Sequence, residues 1–170
     1  MITTNLNLTV AGELVTIRPI RVTDAAMEAE FVRKLSPQTK HYRFLCGVRE
    51  LSPAQVKFFC EVDGRHSMAF VATVQRNGCE TEIGVGRYAP NSKADIREMA
   101  VTIADEWQRK GLGKLLVKQL IASAREYGVK QLYSVELADN AAMRDLAHEL
   151  GMSKGCDPGD AHQVIYSLAV

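Results

Sequence analysis

The chain has 170 residues, which corresponds most simply to one compact domain that can bury about 70% of the surface of its unfolded chain. Its 21 Lys and Arg residues nearly cancel its 20 Asp and Glu residues. We therefore expect no overall attraction to nucleic acid or to an anionic membrane, and any anion site must be local.

The cysteines and histidines match no metal-binding or redox pattern. Cys46, Cys60, Cys79 and Cys156 are spaced too irregularly for zinc ligands or a Cys-x-x-Cys pair. We expect no bound metal, and free thiols in a reducing compartment. The sequence has no signal-peptide pattern and no run of 18 apolar residues. These features predict a soluble cytoplasmic protein.

The first part of the chain reads as a strand followed by a helix. Residues 14–19 form the first predicted strand, and Thr23 or Asp24 can cap a helix that runs to about Leu35. Pro37 is expected to close this helix.

The middle of the chain predicts a short helix and then three strands. Ser52 begins the helix as the first residue of a capping box. Residues 68–75 and 81–88 are rich in β-forming residues, and Asn77-Gly78 between them is typical of a tight hairpin turn. Residues 98–104 form the fourth predicted strand.

The last third alternates between helices and strands. Apolar residues at helical spacing predict a helix over residues 113–127 that ends at Gly128. A fifth strand over 132–137, a helix over 140–150 and a late strand over 164–170 follow. The pattern indicates one α/β domain with a mixed sheet over residues 1–170, in which residues 1–13 are expected to form a flexible N-terminus.

The segment Gln108-Arg109-Lys110-Gly111-Leu112-Gly113-Lys114 combines two glycines with cations at a predicted helix N-terminus. Glycine lets backbone N–H groups approach a ligand closely, and the first amides of a helix have no intrahelical partners. The helix dipole also favours a negative charge, by roughly 0.3–1 kcal/mol. This segment therefore predicts a pyrophosphate site.

Two common pyrophosphate motifs do not fit the segment. A P-loop needs Gly at position 108 and Ser or Thr at position 115, where this chain has Gln108 and Leu115. A dinucleotide fingerprint needs a third small residue at position 116, where this chain has Leu116.

The run from Val101 through Gly113 resembles the coenzyme-binding motif of the GNAT superfamily of acetyltransferases, Gln/Arg-x-x-Gly-x-Gly/Ala at a strand-to-helix junction. The element order is similar over nearly the whole chain. Residues 35–44 and 49–53 more narrowly resemble the acetyltransferase domain of bacterial protein-lysine acetyltransferases.

The resemblance implies a mixed, mostly antiparallel sheet of six to seven strands that splays between strands 4 and 5 and is flanked by about four helices. It also implies acetyl-CoA as cosubstrate. Backbone groups of Val101, Thr102 and Ile103 would pair with the pantetheine arm, and Asn140 would lie beside it. The amides implied to hold the pyrophosphate belong to Arg109, Lys110, Gly111, Leu112, Gly113 and Lys114.

The implied reaction is direct attack of a primary amine, such as a protein lysine, on acetyl-CoA in a ternary complex without metal. A lysine-like amine of pKa near 10.4 is roughly 99.9% protonated at pH 7, so it must lose a proton first. Glu98 is the candidate general base. Many relatives use a Tyr as general acid where this chain has Ala147, which leaves the acid unassigned between Tyr133 and water.

Two alternative functions remain open at this point. The acceptor could be a small-molecule amine, or the protein could be a non-catalytic acetyl-CoA-binding sensor or scaffold, which Ala147 favours. The sequence also leaves open whether the chain forms a homodimer. We expect neither nucleic acid nor membrane as a partner.

Overall fold

The computed structural model describes residues 5–45, 47–93 and 95–170. The strands are β1 (Leu6–Val10), β2 (Glu13–Pro19), β3 (Met68–Arg76), β4 (Cys79–Pro90), β5 (Ile96–Ile103), β6 (Gln131–Leu137), β7 (Ser153–Cys156) and β8 (Gln163–Ala169). The α-helices are α1 (Ala25–Lys34), α2 (Pro37–Phe44), α3 (Pro53–Cys60), α4 (Leu112–Glu126) and α5 (Ala141–Glu149). Within these ranges, no helix is both long and apolar enough to cross a membrane.

The eight strands form one sheet in the order β1-β2-β3-β4-β5-β6-β8-β7. Neighbouring strands are antiparallel except β5 and β6, which run parallel. This parallel pair joins Ile96 to Gln131, Arg97 to Leu132 and Glu98 to Tyr133, and the two strands diverge beyond it. The mixed sheet and its splay between the fourth and fifth predicted strands are therefore confirmed.

The structure has more elements than the sequence predicted, with eight strands and five helices in the part it describes. Strand β1 lies inside the segment 1–13 that we expected to be flexible, and it pairs with β2. Ala11 and Gly12 both have positive φ, +50° and +85°, as a two-residue hairpin turn requires. Strand β7 is short and exposed, so it carries no hydrophobic alternation that a sequence pattern could reveal.

Pro37 begins a helix instead of closing one. It is the first residue of α2, and the Ser36 hydroxyl accepts a hydrogen bond from the Thr39 amide at 3.2 Å as the N-cap. Proline suits the first helical position because its missing N–H would have no intrahelical partner there. Helix α1 ends earlier, at Lys34, close to the predicted end at Leu35.

The core lies on both faces of the sheet. Helix α4 buries Leu116 and Leu120 against β3, β4 and β5. Gly86 permits this close packing, because a Cβ there would lie 3.2 Å from the Leu116 Cβ. Helix α1 packs on the other face, where Arg87 of β4 donates to Glu28 at 2.8 Å.

Candidate active site

A cavity of about 660 Å³ opens where β5 and β6 diverge. Its walls come from β5, β6, α2, α5 and the N-terminus of α4. The predicted site residues that line it are Glu98, Val101, Thr102, Ile103, Arg109, Gly111, Leu112, Gly113, Lys114 and Asn140. Lys110 is not among the lining residues, and its ammonium lies 5.0 Å from the ring centroid of buried Trp107.

The loop before α4 has the backbone shape of an anion site. Arg109 and Gly111 both lie in the left-handed region, with φ of +62° and +83°. Gly111 is the N-cap of α4, so the amides that follow it have no partners within the helix. Successive N–H groups in such a loop form a concave surface that suits phosphate oxygens. The predicted cradle therefore has suitable geometry at one end of the cavity.

Two cations of the cradle pair with carboxylates of α5. Arg109 Nη1 lies 2.5 Å from Asp145 Oδ2, and Lys114 Nζ lies 3.3 Å from Glu149 Oε2. The hydrogen bond from Arg109 lowers the pKa of Asp145. All four side chains are at least 39% exposed, so solvent screens these pairs. The pairs can therefore exchange for contacts with a phosphate at little cost.

Helix α2 is held against the cradle by a set of hydrogen bonds that the sequence analysis missed. Asp105 accepts from the Ser36 amide at 2.9 Å, the Ser36 hydroxyl at 2.6 Å and the Thr39 hydroxyl at 2.7 Å. Gln108 Nε2 donates to the Thr39 hydroxyl at 3.1 Å and to the Ile103 carbonyl at 3.2 Å. The Ser-Pro helix start at position 36 was the available signal for this wall.

Strand β5 presents an open edge to the cavity. It pairs with β4 without a register shift, whereas its pairing with β6 stops at Glu98. Beyond that point β5 has, among the described residues, no strand partner on the β6 side, which leaves room for a ligand with amide groups, although the Ile103 carbonyl already accepts from Gln108. Thr102 also lines the cavity, and its hydroxyl oxygen is buried without a hydrogen-bond partner. An unpaired buried hydroxyl is costly, so both features suit a polar, strand-like ligand such as the pantetheine arm.

Glu98 lies at the other end of the cavity from the cradle, where the strands begin to separate. Its side chain is exposed, and the Tyr133 hydroxyl donates to Oε2 at 3.1 Å. Asn91 Nδ2 in turn donates to the Tyr133 oxygen at 2.9 Å. Burial raises the pKa of Tyr133, and the Glu98 carboxylate raises it further. The sequence analysis predicted Glu98 but not the two partners, which come from a loop and from a strand.

Asn140 and Glu136 form a buried pair on the opposite wall. Asn140 caps α5 as predicted, because its Oδ1 accepts from the Met143 amide at 3.1 Å. Its Nδ2 donates to Glu136 at 3.2 Å, and the Ser134 hydroxyl donates to the same carboxyl. Burial raises the pKa of Glu136 despite these donors. No sequence pattern indicated Glu136, because its place in the site depends on which face of β6 lines the cavity.

Two further residues bear on the predicted chemistry. Arg43 of α2 lines the cavity, and burial together with the charge of Arg87 lowers its pKa to about 10. Ala147 is buried in the core and is not among the lining residues, so its position supplies no proton donor. Tyr133, one candidate acid, is engaged with Glu98.

Comparison with known proteins identifies the family. The model of the acetyltransferase (GNAT) family matches residues 29–152, which is more than half of the chain. The chain belongs to the GNAT acetyltransferase family. GNAT acetyltransferases use acetyl-CoA as cosubstrate and act on amine acceptors. The predicted family and the predicted enzyme class are thereby confirmed.

Individual relatives agree with this assignment. The chain is 45% identical to Acetyltransferase PA5475 of Pseudomonas aeruginosa over 94% of this GNAT chain and 86% of the relative. It is 30% identical to Acetyltransferase Pat of Mycolicibacterium smegmatis over 82% of the chain but only 41% of that longer protein. The GNAT domain of S. lividans PAT has the same fold, with a TM-score of 0.87 and 24% identity over 98% of this chain and 97% of that one.

The described residues contain no group of three or more His, Cys, Asp or Glu side chains placed to hold a metal ion. Cys60, Cys79 and Cys156 are free thiols, whereas Cys46, the fourth predicted thiol, lies outside the described residues.

Proposed function

We propose that this GNAT protein transfers the acetyl group of acetyl-CoA to a primary amine by direct attack in a ternary complex, with a protein lysine as the acceptor. The supporting observation is one continuous cavity with the anion cradle of Gly111 at one end and the exposed carboxylate of Glu98 at the other. The lysine acceptor is supported by the resemblance of residues 35–44 and 49–53 to protein-lysine acetyltransferases.

The coenzyme would bind through backbone groups for most of its length. The amides at the start of α4, from Arg109 to Lys114, would hold the pyrophosphate, aided by the helix dipole. The open edge of β5 at Val101, Thr102 and Ile103 would pair with the pantetheine amides. One N–H of the Asn140 amide is not used by Glu136 and could donate to the same arm. The thioester would then lie in the gap between β5 and β6.

The amine would lose its proton to Glu98. With about 3.3 Å per residue, the three positions from Glu98 to Val101 span roughly 10 Å, which suits direct transfer or transfer through one water. The lone pair freed on nitrogen attacks the thioester carbonyl, and backbone N–H groups at the splay are suited to stabilise the developing oxyanion. The C–S bond of the tetrahedral intermediate then breaks, the nitrogen gives up its second proton to water, and the departing coenzyme thiolate takes up a proton from water, because the Tyr133 hydroxyl donates to Glu98.

One observation favours a second candidate function. Ala147 occupies the position of the family's usual acid and is sealed in the core. A non-catalytic acetyl-CoA sensor or scaffold would not need that acid. A small-molecule amine as acceptor differs from the main proposal only in the partner.

The proposal also includes the compartment and the oligomeric state. The free thiols Cys60, Cys79 and Cys156 are compatible with a reducing cytoplasm, and the protein would act there as a homodimer.

A thiol-release screen tests the proposed function. Acetyl-CoA is incubated with the protein and a panel of lysine peptides, folded proteins, polyamines, amino acids and aminoglycosides, and the products are identified by mass spectrometry. We expect release of free coenzyme A together with a gain of one acetyl group on a lysine side chain. Binding of acetyl-CoA without thiol release over the whole panel would support the sensor instead, and acetylation of small amines alone would reassign the acceptor.

A further inference from the structure

Tyr133 is the protein group that holds the Glu98 side chain. The two residues are register partners at the last position where β5 and β6 pair, so their backbones are fixed relative to each other. The Tyr133 hydroxyl donates to Glu98 Oε2 at 3.1 Å, and it is the sole hydrogen-bond donor recorded for this exposed carboxylate among the described residues. Without it, the side chain could adopt several rotamers in solvent.

The direction of this hydrogen bond is set by a third residue. Asn91 Nδ2 donates to the Tyr133 oxygen at 2.9 Å, so the phenol accepts from Asn91 and directs its own proton to Glu98. Asn91 is fixed in turn, because its Oδ1 accepts from the Ser92 hydroxyl at 2.8 Å and from the Lys93 amide at 3.1 Å. The chain from Asn91 through Tyr133 to Glu98 therefore orients both the phenol and the carboxylate.

We propose that Tyr133 is a positioning residue for acetyl transfer, which fixes the orientation of the Glu98 carboxylate through the hydrogen bond that Asn91 directs. The proposal rests on the proposed function of Glu98 as general base. A phenylalanine ring at position 133 offers no donor, so it leaves the carboxylate without this partner.

Other charges around Glu98 do not replace Tyr133. The charged groups that interact with it electrostatically are Arg43 on α2 and Glu136 on β6, which have opposite signs. Neither has a recorded hydrogen bond to Glu98, so neither fixes the orientation of its carboxylate. Tyr133 itself is not among the residues that line the cavity, so its removal should leave acetyl-CoA binding unchanged.

The test compares Tyr133→Phe with the wild type in pH–rate profiles. We expect kcat at the pH optimum to fall about tenfold, since the base is no longer held in one orientation. The KM for acetyl-CoA should not change. Asn91→Ala should lower kcat by less. Tyr127→Phe, a matched loss of a phenol at the end of α4, should leave the profile unchanged.

A double-mutant cycle separates positioning from a purely structural role. In a Glu98→Gln background, Tyr133→Phe should change kcat by less than about twofold, because the carboxylate through which it acts is gone. An equal loss in both backgrounds, or an unchanged kcat in Tyr133→Phe, would overturn the proposal. If Tyr133→Phe fails to fold, Asn91→Ala in the same cycle decides the question.

A measurement without substrate keeps this test separate from the proposed function. The carboxyl carbon of Glu98 is observed by 13C NMR at one fixed pH in wild type, Tyr133→Phe and Tyr127→Phe. We expect its chemical shift to change only in Tyr133→Phe, because only that variant removes the hydrogen-bond donor, even if no acceptor is ever found. An unchanged chemical shift overturns the role of Tyr133, whereas a protein without turnover but with a changed shift overturns only the proposed acetyl transfer.

Discussion

Glu98 and Gly111 illustrate how single residues set the chemistry of the two ends of the cavity. Glu98 offers a side-chain oxygen to a proton, whereas Gly111 offers backbone shape and the space left by a missing Cβ. The two predictions at this scale therefore change a charge in one case and a backbone position in the other.

Glu98→Gln should preserve the fold and the affinity for acetyl-CoA but lower turnover by about 10²–10⁴-fold, the usual effect of losing a general base. The acidic limb of the pH–rate profile should also disappear. Glu106→Gln is the matched control, because Glu106 lies beyond the end of β5, is exposed and is not among the cavity-lining residues. A Glu98→Gln enzyme with wild-type turnover at every pH would rule Glu98 out as the base.

Gly111→Asp should weaken acetyl-CoA binding at least about tenfold, because it places a negative charge at the N-terminus of α4. Gly111→Asn separates strain from charge, since both side chains must adopt the φ of +83° in open space. Gly128→Asn imposes similar strain, at φ +72°, at the far end of α4. Calorimetry should show that Gly111→Asp loses more affinity for acetyl-CoA than Gly111→Asn does. Gly128→Asn should lose none. Unchanged affinity in folded Gly111→Asp would place the pyrophosphate elsewhere.

Lys110→Ala should weaken acetyl-CoA binding less than Gly111→Asp does.

At the scale of elements, α2 forms a wall of the cavity although none of its residues is fully buried. Its position therefore depends on polar contacts more than on apolar packing. Asp105 supplies three of them, to the backbone and side chains of Ser36 and Thr39. Burial acts to raise the pKa of Asp105, but these donors outweigh it and leave that pKa below its ordinary value.

Asp105→Asn should lower the free energy of unfolding by about 1 kcal/mol, a low value because the carboxylate is solvent-exposed. It should also weaken acetyl-CoA binding by loosening α2. Because the folded pKa is lowered, the wild-type contribution is present above the ordinary value of 3.8 and is lost as pH falls through the folded pKa. Urea unfolding at pH 7 measures the loss of stability, and urea unfolding in acid measures how the Asp105 contribution depends on pH. An Asp105→Asn protein as stable as Glu106→Gln would show that α2 is held by other contacts.

The interface of α1 with β4 contains a second electrostatic feature. Glu28 and Glu82 are both buried, and oxygens of both carboxyls are without partners if both groups are ionised. Burial and the adjacent Glu28 raise the pKa of Glu82 well above its ordinary value. A neutral Glu82 can donate to Glu28, while Arg87 balances the charge of Glu28. The pair is therefore most stable with one shared proton.

Glu82→Gln should make the protein less sensitive to alkaline pH. Because the folded pKa of Glu82 is raised, its stabilisation is complete below the ordinary value of 4.5 and is lost as pH rises through the folded pKa. The amide keeps a donor for Glu28 and removes the titration, so we expect a gain of about 1–3 kcal/mol at alkaline pH and little change in acid. Urea unfolding across pH measures this, with exposed Glu61→Gln as control. Parallel wild-type and variant curves would contradict the shared proton.

At the scale of the whole molecule, ligand binding and folding are linked because the cavity joins α2, β5, β6, α4 and α5. A ligand that contacts all of these elements binds the folded chain and not the unfolded one. Its binding free energy therefore adds to the stability of the entire domain.

Acetyl-CoA at a hundredfold excess over its Kd should stabilise the fold by about 2.7 kcal/mol and raise the Tm by roughly 5–10 °C. ATP and NADH should raise it much less, since they lack the pantetheine arm that fits the open edge of β5. Differential scanning fluorimetry measures the three shifts side by side. Equal stabilisation by ATP, or none by millimolar acetyl-CoA, would contradict the coenzyme assignment.

Local patterns in the sequence were sufficient for much of the fold. The apolar stripe of α4, the hairpin at Asn77-Gly78 and the cap at Asn140 each depend on residues a few positions apart, and all three occur in the structure. The elements that the sequence did not predict either lacked a local pattern or began with a residue that has two readings. Strand β7 is exposed throughout, and Pro37 can mark either a helix end or a helix start.

The candidate site shows the same division between local patterns and tertiary contacts. The sequence by itself predicted the cradle at Gly111 from its motif, and it predicted the candidate carboxylate Glu98 through the resemblance to GNAT acetyltransferases. Only the tertiary structure decided that Tyr133 contacts Glu98, that Asp105 holds α2 and that Glu136 contacts Asn140 in the cavity wall. Two of these three contacts join residues more than 30 positions apart and depend on sheet order and register, and the third depends on the local turn from β6 into α5. No local periodicity encodes which strand ends adjacent to which loop, so the two distant contacts follow only from the assembled sheet.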